Sequence, residues 1–509
     1  MAIGPTTAPA AEDSSHAPAG AEKEWPSTGA RYWALAVIIF ATFVTFFDQV
    51  VFGMLAERIK ADFGLSDAQL GFLAGPASII CYLFVGIPLA RLADIWPRKY
   101  VLAGGVAVVG LVTALGGIAQ TFVQFIGTRV FLAAGGSAHA PSSYSLLADA
   151  FPPKIITRAF ALLQFGFIGG TTLGPAIGGM LIMMTANWEP TVIGPLRILG
   201  WQWILIWIAA PAFLAALLFL TVKEPQRQAP VADVEQPPAD AGLGRQIGTA
   251  PPAFGGALFF RAAKEPRRRA PGPGGKPPPA DAGLGRQIVT FMGFDAARAI
   301  HANRKVYYPL FGALALAATE SFGLAFWRVP FMIRTFGWNE AEIGAAIGGT
   351  MLVGSLAGLL LGGLLVEFLA KRHKDANVRA AFICFLGTTV STLTALLSPD
   401  GWGSMIAFGF AGMFGLAGAV PQNAAVQRVA PNSMRGQVTA FYLFMFTFFG
   451  AMGSFVIGLV AQYVVGDPAK LQHALVMTAG VLLPLACLLM FRAIRPYREE
   501  VERLEALGR

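Results

Sequence analysis

Twelve apolar runs constrain what this chain can fold into more than any other feature of its sequence. Each run has the length, about 20 residues, that a helix needs to cross the hydrocarbon core of a bilayer. Only 13% of the 509 residues are charged, whereas soluble domains average about a quarter. The sequence therefore predicts an all-α membrane protein. The predicted spans lie near 33–55, 69–90, 99–120, 122–148, 157–184, 197–222, 306–334, 341–368, 378–398, 403–427, 436–463 and 472–493.

Polar stretches divide these spans into two groups of six. We predict a disordered cytoplasmic tail, an N-terminal six-helix bundle, a cytoplasmic linker, a C-terminal six-helix bundle and a second cytoplasmic tail. Their bounds are 1–30, 31–222, 223–305, 306–493 and 494–509. The first tail is rich in Ala, Pro, Ser and Glu, a composition that does not form a packed core. It also lacks the basic start and short apolar core of a cleaved signal peptide.

The basic residues predict the orientation, because cytoplasmic loops collect Lys and Arg. With the first tail inside, most of the 38 Lys and Arg residues are cytoplasmic and two lie within spans. The few that fall in external loops are Arg58, Lys60, Arg197, Arg334 and Lys470. We therefore expect a multi-pass protein of the inner (plasma) membrane with both termini in the cytoplasm.

Several classes of function have no support in the sequence. Its three cysteines all lie in apolar runs, and it contains no metal-ligand cluster, nucleotide-binding P-loop or nucleophile elbow. The sequence therefore predicts no enzyme, no cofactor and no metal site. The loop bias accounts for the net charge of +9, so nucleic acid is not an expected partner. We expect a monomer whose partners are the lipid bilayer and a small-molecule substrate.

The linker contains a tandem repeat, since Ala209–Ile247 matches Ala250–Ile288 at 24 of 39 positions. The copied end of the sixth span has lost apolar residues, and Arg261 replaces Leu220 there. This copy is too short to cross a membrane. A duplication that lengthens a Pro/Gly-rich linker is the favoured interpretation, and a functional domain is the alternative.

Two loops share a charged pattern, in which an acid at a helix end precedes a basic pair by four and five residues. The residues are Asp94, Arg98 and Lys99 in the first half and, 273 positions later, Glu367, Lys371 and Arg372. The repeat predicts twelve transmembrane helices in two pseudo-symmetric six-helix bundles. The pattern resembles the loop motif of the major facilitator superfamily, which implies that fold and a gating role for these residues. Generic positive-inside charge is the alternative.

Further motifs, in a fixed order, extend over nearly the whole apolar chain. They are Phe47-Asp48-Gln49, Leu55–Asp67, Gln69-Leu70-Gly71, Pro141–Asp149, Lys223-Glu224-Pro225 and Ala430–Gln437. Together they resemble the bacterial spinster-like transporters. The resemblance implies alternating access and substrates similar to lysolipids or sphingolipids.

Two positions depart from the spinster-like pattern. Gln49 stands where the family has Arg, and Gly136 stands where it has Glu, seven residues after the retained Arg129. The family residues at these positions are thought to handle protons together with the acid at Asp48. Proton coupling therefore uses Asp48 without its usual neighbours, uses other acids, or does not occur.

The fifth span carries a glycine-proline motif. Its residues are Gly170, Gly174, Pro175, Gly178 and Gly179. Glycines four residues apart allow two helix backbones to approach, and proline weakens the helical hydrogen bonds where a helix bends. The motif resembles that of superfamily antiporters, where the bend is thought to seal the pathway. Simple packing of small residues is the alternative.

Four charged residues stand out in the interior of predicted spans, where a charge costs at least about 2.5–3.5 kcal/mol. Asp48 and Arg129 are predicted at similar depths on the first and fourth helices. Glu320 and Arg328 lie eight residues apart on the seventh helix, about 80° apart around its axis. All four are candidate substrate or coupling residues, and a structural ion pair is the alternative for each pair.

The fourth span offers two further candidates, His139 and Tyr144. A histidine titrates near neutral pH and can carry protons, and a tyrosine can contact a polar substrate. Packing is the favoured interpretation of both.

The favoured function is a secondary active transporter with alternating access. Its buried arginines would bind an organic anion or an amphiphilic, lipid-like small molecule, and protons are the candidate coupling ion. A small-carboxylate transporter and a drug-type exporter are the alternatives on the same fold. A non-transporting membrane receptor or scaffold that uses the linker is the alternative of another class.

Overall fold

Helices make up nearly all of the computed structural model. The residues that it describes are 25–79, 96–137, 139–152, 155–225, 298, 300–430 and 435–506. Residues 1–24 of the predicted first tail, Asp94 and most of the predicted linker with its repeat lie outside this part of the chain. Within it, ten helices are long and apolar enough to cross a membrane.

The first half of the chain forms helices and one β-hairpin. The helices are α1 (Thr28–Met54), α2 (Ala56–Phe63), α3 (Asp67–Ala74), α4 (Arg98–Gly117), α5 (Phe122–Ser137), α6 (His139–Ala150), α7 (Ile156–Thr185) and α8 (Gly200–Thr221). Strands β1 (Thr191–Ile193) and β2 (Leu196–Ile198) pair in an antiparallel hairpin between α7 and α8. The predicted second span is described as far as Ile79, and the predicted fourth span is described as α5 and α6 on either side of residue 138.

The second half repeats the long helices without a hairpin in the described residues. They are α9 (Arg304–Phe336), α10 (Glu340–Ala370), α11 (Ala376–Leu397), α12 (Gly401–Val429), α13 (Arg435–Leu459) and α14 (Leu471–Ala506). The predicted second tail, 494–509, thus continues α14 as a helix to Ala506. Ion pairs hold this extension, because Glu505 contacts Lys374 at 2.8 Å and Arg498 contacts Asp375 at 2.9 Å.

Capped turns separate the helices near the hairpin. Asn339 begins α10 with a capping box, in which its side chain accepts from the backbone N–H of Glu342 at 2.9 Å and its own N–H donates to the Glu342 carboxylate at 3.1 Å. Gly337 and Gly64 end α9 and α2 with φ of 68° and 63°, a left-handed conformation that glycine adopts without steric cost. The chain therefore reverses in a few residues at this end of the bundles.

Three buried apolar cores show how the two halves meet. One core joins both halves, with Phe52 and Trp201 from the first half and Trp327 and Phe408 from the second. The other two cores each contain residues of one half only. We call the end of the molecule that carries the β-hairpin the hairpin end, and the end where α8 stops and α9 begins the linker end. The halves pack against each other at the hairpin end and have separate cores at the linker end.

Candidate functional site

Asp48 and Arg129 lie together between α1 and α5. Arg129 Nη1 is 3.7 Å from Asp48 Oδ2. Arg129 is 2% exposed and Asp48 is 4% exposed. Thr113 on α4 donates its hydroxyl to Asp48 Oδ1 at 2.8 Å. Three helices of the first half therefore meet at one buried ion pair, which brings together the two residues that the sequence predicted at similar depths.

The guanidinium of Arg129 is enclosed by apolar groups. Its Cζ atom lies 4.9 Å and 5.1 Å from the ring centroids of Phe52 and Phe125, and a Cβ atom at Gly116 would lie 3.1 Å from Nη2. None of its three nitrogens has a hydrogen-bond partner among the described residues. Buried polar groups in proteins are nearly always hydrogen-bonded. A buried guanidinium with only one distant carboxylate beside it is thus a candidate binding group.

An aromatic contact between the halves covers this pair. Phe52 stacks on Phe326 of α9 with ring centroids 5.9 Å apart and planes 29° apart. Gly53 lies against the same ring, since a Cβ atom there would be 3.9 Å from it. Separation of the halves at the hairpin end would break this stack beside Arg129.

Gly136 lies two turns along the fourth span from Arg129, on the same helix face. A Cβ atom there would meet nothing within 4 Å, so space remains where a side chain would be. Leu132, Ala133 and Ala140 on this face are half-buried. This face therefore carries small and apolar residues and has open space beside Gly136.

The second pair of candidate charges does not form an ion pair in the structure. Glu320 is 1% exposed, and neither carboxyl oxygen has a hydrogen-bond partner in the described chain. Arg328 lies 5.8 Å from the ring centroid of Phe408, and its Nε atom likewise has no partner there. Eight residues of helix separate the two Cα atoms by about 12 Å.

His139 and Tyr144 make packing contacts. His139 Nε2 lies 3.0 Å from the hydroxyl of Thr42, which donates its own hydrogen to the carbonyl of Ile38 at 2.8 Å. The hydroxyl can only accept from the imidazole, so Nε2 carries the ring proton. Tyr144 packs edge-to-face on Phe160 at 5.3 Å. These contacts join the fourth span to α1 and α7 and favour the structural interpretation.

The basic pair of the first loop motif connects three helices at the linker end. Arg98 forms ion pairs with Asp149 at 2.5 Å and with Glu224 at 3.0 Å. The Glu224 carboxylate also accepts from the backbone N–H groups of Arg98 and Lys99. The start of α4 is thereby fixed to the ends of α6 and α8, whereas Asp94 of the motif lies outside the described residues.

The second loop motif makes fewer contacts. In the described range, the structure records no ion pair of Glu367, Lys371 or Arg372. The guanidinium of Arg372 lies 5.8 Å from the Phe368 ring centroid. The charged pattern therefore repeats along the chain without the same contacts.

The corresponding contact in the second half uses Asp375, which the sequence did not single out. Its fully buried carboxylate pairs with Arg379 at 2.7 Å and with Arg498 at 2.9 Å. Burial alone would raise the pKa of Asp375, but the hydrogen bonds from the two arginines outweigh burial and lower it. The ion pair with Arg498 fixes the start of α11 to the last part of α14. Arg98 fixes α4 to the end of α8 in the same way, but there the central residue is basic and its partner Glu224 is acidic.

A charged cluster connects the two halves at the hairpin end. Arg334 of α9 donates to Glu57 at 2.7 Å and to Asp67 at 2.9 Å, and Lys60 contacts Asp67 at 2.5 Å. Arg334 also donates to the backbone carbonyl of Pro468. Four of the five hydrogen bonds that Arg334 donates therefore go to carboxylates of the first half, and they connect the halves at this end of the molecule.

A second ion pair extends this cluster, since Arg58 contacts Glu340 of α10 at 2.8 Å. Burial alone would raise the pKa of Asp67, but the hydrogen bonds from Arg334 and Lys60 outweigh it and lower the pKa. We call Glu57, Arg58, Lys60, Asp67, Arg334 and Glu340 the hairpin-end cluster. The sequence placed its three basic members in external loops but gave no indication that they pair.

The glycine-proline motif of α7 packs on two sides. Toward α1, a Cβ atom at Gly170 would lie 2.8 Å from a backbone carbonyl oxygen, and one at Gly178 would lie 3.0 Å from a valine side chain. Gly174 lies against the same helix. Close helix packing is therefore one role of the motif.

The other side of the motif faces α10 of the second half. Gly179 lies against the backbone of Glu340, and Gly344 lies against the carbonyl of Pro175. A Cβ atom at Gly348 would lie 2.8 Å from the carbonyl oxygen of Thr172. The contact between α7 and α10 thus depends on glycines from both halves, and larger side chains would push the halves apart.

Comparison with known proteins agrees with this architecture. The Major Facilitator Superfamily model matches residues 38–454 and 310–508. An MFS-type efflux pump of Mycolicibacterium smegmatis is 23% identical over 496 residues, which are 97% of this chain and 98% of the pump. Protein spinster of Drosophila melanogaster is 22% identical over 202 residues, which are 40% of this chain and 31% of that protein.

A solved structure shares the fold over almost the whole chain. It is a bacterial homologue of the human lysosomal transporter spinster in an inward-facing, unoccupied conformation, with a TM-score of 0.71 and 20% identity. The match covers 93% of this chain and 99% of the other. The predicted fold and the predicted resemblance to spinster-like proteins are confirmed. The chain belongs to the major facilitator superfamily.

Proposed function

We propose that this protein is a secondary active transporter of the plasma membrane that carries an organic anion or an amphiphilic, lipid-like molecule. The observation that carries the proposal is the Arg129 guanidinium, which is buried without a hydrogen-bond partner in the described chain. A carboxylate or phosphate group matches its donors with two parallel hydrogen bonds. The substrate anion would therefore supply the acceptors that the protein does not.

The surroundings of Arg129 support an apolar body on this anion. Phe52 and Phe125 flank the guanidinium, and the helix face with Gly136 carries small and apolar residues beside open space. A ligand with an anionic head and an apolar tail would satisfy both regions. A small carboxylate would satisfy the guanidinium alone.

The proposal includes an orientation of the molecule in the membrane and a state of the transport cycle. The bias of basic residues supports an orientation with the hairpin end outside and the linker end in the cytoplasm. The shared core and the hairpin-end cluster close the molecule on the outside. We therefore interpret this structure as the inward-facing state of an alternating-access cycle.

Asp48 is the proposed coupling acid at this site. In the structure its carboxylate is the nearest counter-charge of Arg129. A substrate anion that binds Arg129 would weaken that pair and leave Asp48 without its cation, which favours uptake of a proton. Substrate and proton binding would thus be coupled through one arginine.

Replacement Asp48→Asn tests the coupling. We expect it to abolish transport driven by a pH gradient but to preserve exchange of substrate at equal pH, because asparagine cannot release a proton. The assay measures uptake of a fluorescent lysophosphatidate, with short carboxylates as a second panel, into proteoliposomes with and without the gradient. Glu189→Gln, an exposed change in a loop, is the control. Gradient-driven uptake by Asp48→Asn with an unchanged pH profile would show that Asp48 is structural.

Export is the second candidate direction. The Mycolicibacterium relative, which is named an efflux pump, matches this chain over nearly the whole length of both proteins. The glycine-proline motif also packs closely against α1 and α10, which supports a role in closing the pathway. Vesicles loaded with the same probe on the cytoplasmic side measure efflux directly. Accumulation against the gradient from the external side would argue for import.

Deletion of Ala250–Ile288 separates a transporter from a scaffold. We expect transport and folding to remain nearly unchanged, because the closure entropy of a flexible linker depends weakly on its length. Probe transport by the deletion variant and the full chain, at matched expression, is the measurement. Complete loss of transport with normal expression would favour a regulatory or scaffold role of the repeat.

A further inference from the structure

Glu320 is a buried acid that the proposed anion site does not use. It lies in α9 of the second half, whereas Asp48 and Arg129 belong to the first half. Its side chain is 1% exposed, and neither carboxyl oxygen accepts or donates a hydrogen bond within the described residues. The nearest charged residue along the same helix, Arg328, is about two turns away.

The helices packed against α9 supply no cation to Glu320. The titratable groups in the interior of these helices make contacts with residues other than Glu320. Asp48 on α1 accepts from Thr113, the Tyr442 ring on α13 stacks at 6.3 Å on Phe311, and Cys487 on α14 lies 3.3 Å from the hydroxyl of Thr389. The remaining charged and titratable residues of these helices lie toward one end of the molecule or the other. They are Arg31 and Tyr32 on α1, Glu57, Arg58, Lys60 and Asp62 on α2, Glu340, Glu342 and Glu367 on α10, Arg435 on α13, and His473, Arg492, Arg495, Tyr497, Arg498, Glu499, Glu500, Glu502, Arg503 and Glu505 on α14.

A carboxylate in this position would be a charge without a counter-ion at the depth of the bilayer. Such a charge costs several kcal/mol, whereas a neutral carboxylic acid costs much less. We infer that Glu320 is a second proton-binding site, which holds a proton while the hairpin end is closed and releases it when the halves separate there. This inference relies on the proposed alternating access but not on the proposed anion site.

The linkage sets the direction of the pH effect. The closed state binds one proton that the open state releases, so low pH favours closure and rising pH favours opening. For one linked proton the ratio of closed to open molecules falls by up to about tenfold per pH unit. In the hairpin-end cluster, low pH favours opening instead, because protonation removes the charge of Asp67. The pKa of Asp67 is lowered, so this effect occurs at more acidic pH.

Distance measurements between spin labels test the inference without any substrate. Labels at Val192→Cys and Trp402→Cys report opening at the hairpin end, since both positions are exposed there, one in each half. The full chain, with its three native cysteines replaced by serine, is measured in liposomes from about pH 6 to about pH 9. We expect the closed fraction of the parent to fall with rising pH and the closed fraction of Glu320→Gln to stay constant.

Matched variants separate the outcomes. Glu189→Gln, the exposed change in a loop, is expected to keep the pH dependence of the distances. Glu320→Leu repeats the test with an apolar side chain in case the amide disturbs folding, which size-exclusion elution monitors. A pH-independent distance distribution in the parent, or an unchanged pH dependence in both Glu320 variants, would overturn the inference. Loss of probe binding in Arg129 variants has no bearing on it, so the two proposals fail separately.

Discussion

Arg129→Ala is expected to weaken binding of the lysophosphatidate probe by at least about 30-fold. Truncation of one partner in a buried, charged hydrogen-bonded contact costs about 2 kcal/mol or more, and 1.4 kcal/mol is a factor of ten in affinity. The Phe52 and Phe125 rings that surround the guanidinium offer the anion no other donor. Equilibrium binding of the probe to the purified protein is the measurement.

Two variants keep this prediction free of folding artefacts. Arg129→Lys retains the charge but not the paired donors, so we expect an intermediate loss of affinity. The double change Asp48→Asn with Arg129→Ala leaves no unpaired charge in the site, and should fold as well as the parent while binding no anion. Probe affinity within threefold of the parent in Arg129→Ala, at about equal stability, would refute the anion site.

Arg334→Gln is expected to shift the molecule strongly toward opening at the hairpin end. Removal of one partner from a buried ion pair costs about 3–5 kcal/mol, and Arg334 holds two carboxylates of the other half. The ratio of closed to open molecules should fall by about 100-fold or more. The same spin-label pair across the hairpin end measures it, and Arg197→Gln, an exposed arginine at that end, is the control.

Acid should reproduce part of this effect in the parent protein. The pKa of Asp67 is lowered in the closed state, so its contribution to closure is complete above the ordinary pKa of an aspartate. That contribution is lost as the pH falls through the lowered value. Asp67→Asn should remove the acidic part of the pH dependence. Persistence of that part in the variant would refute its assignment to Asp67.

Hydropathy predicted most of this fold because a bilayer leaves few solutions. A helix satisfies its own backbone in lipid, so the apolar runs had to become helices of about the observed lengths. Counting residues along two antiparallel helices predicted similar depths for Asp48 and Arg129, and the structure brings the two side chains into contact. The same counting placed Glu320 and Arg328 on one helix. The rise of eight residues, about 12 Å along the helix axis, keeps their side chains from pairing in the structure.

The contacts between distant loops could not be predicted in this way. Hydropathy does not report the relative rotation of the two bundles, on which the pairing of Arg334 with Glu57 depends. Asp375 was missed for a similar reason, since its partner Arg498 lies in a segment that composition identified only as a tail. The repeated loop motif even pointed to Glu367, whereas the structure uses the residue that begins the next helix.

The location of the ion pairs has a kinetic consequence. At the linker end, the ion pairs of the described residues, those of Arg98 and Asp375 included, each stay within one half. Among the ion pairs of the described residues, those of Arg58 with Glu340 and of Arg334 with Glu57 and Asp67 join the halves, and they must break when the halves separate at the hairpin end. The activation barrier for that step should therefore respond to ionic strength on the side of the membrane that the hairpin faces and be insensitive to salt on the other. In oriented proteoliposomes, a rise in salt concentration on the hairpin side would then change the turnover rate, whereas the same rise on the opposite side would not.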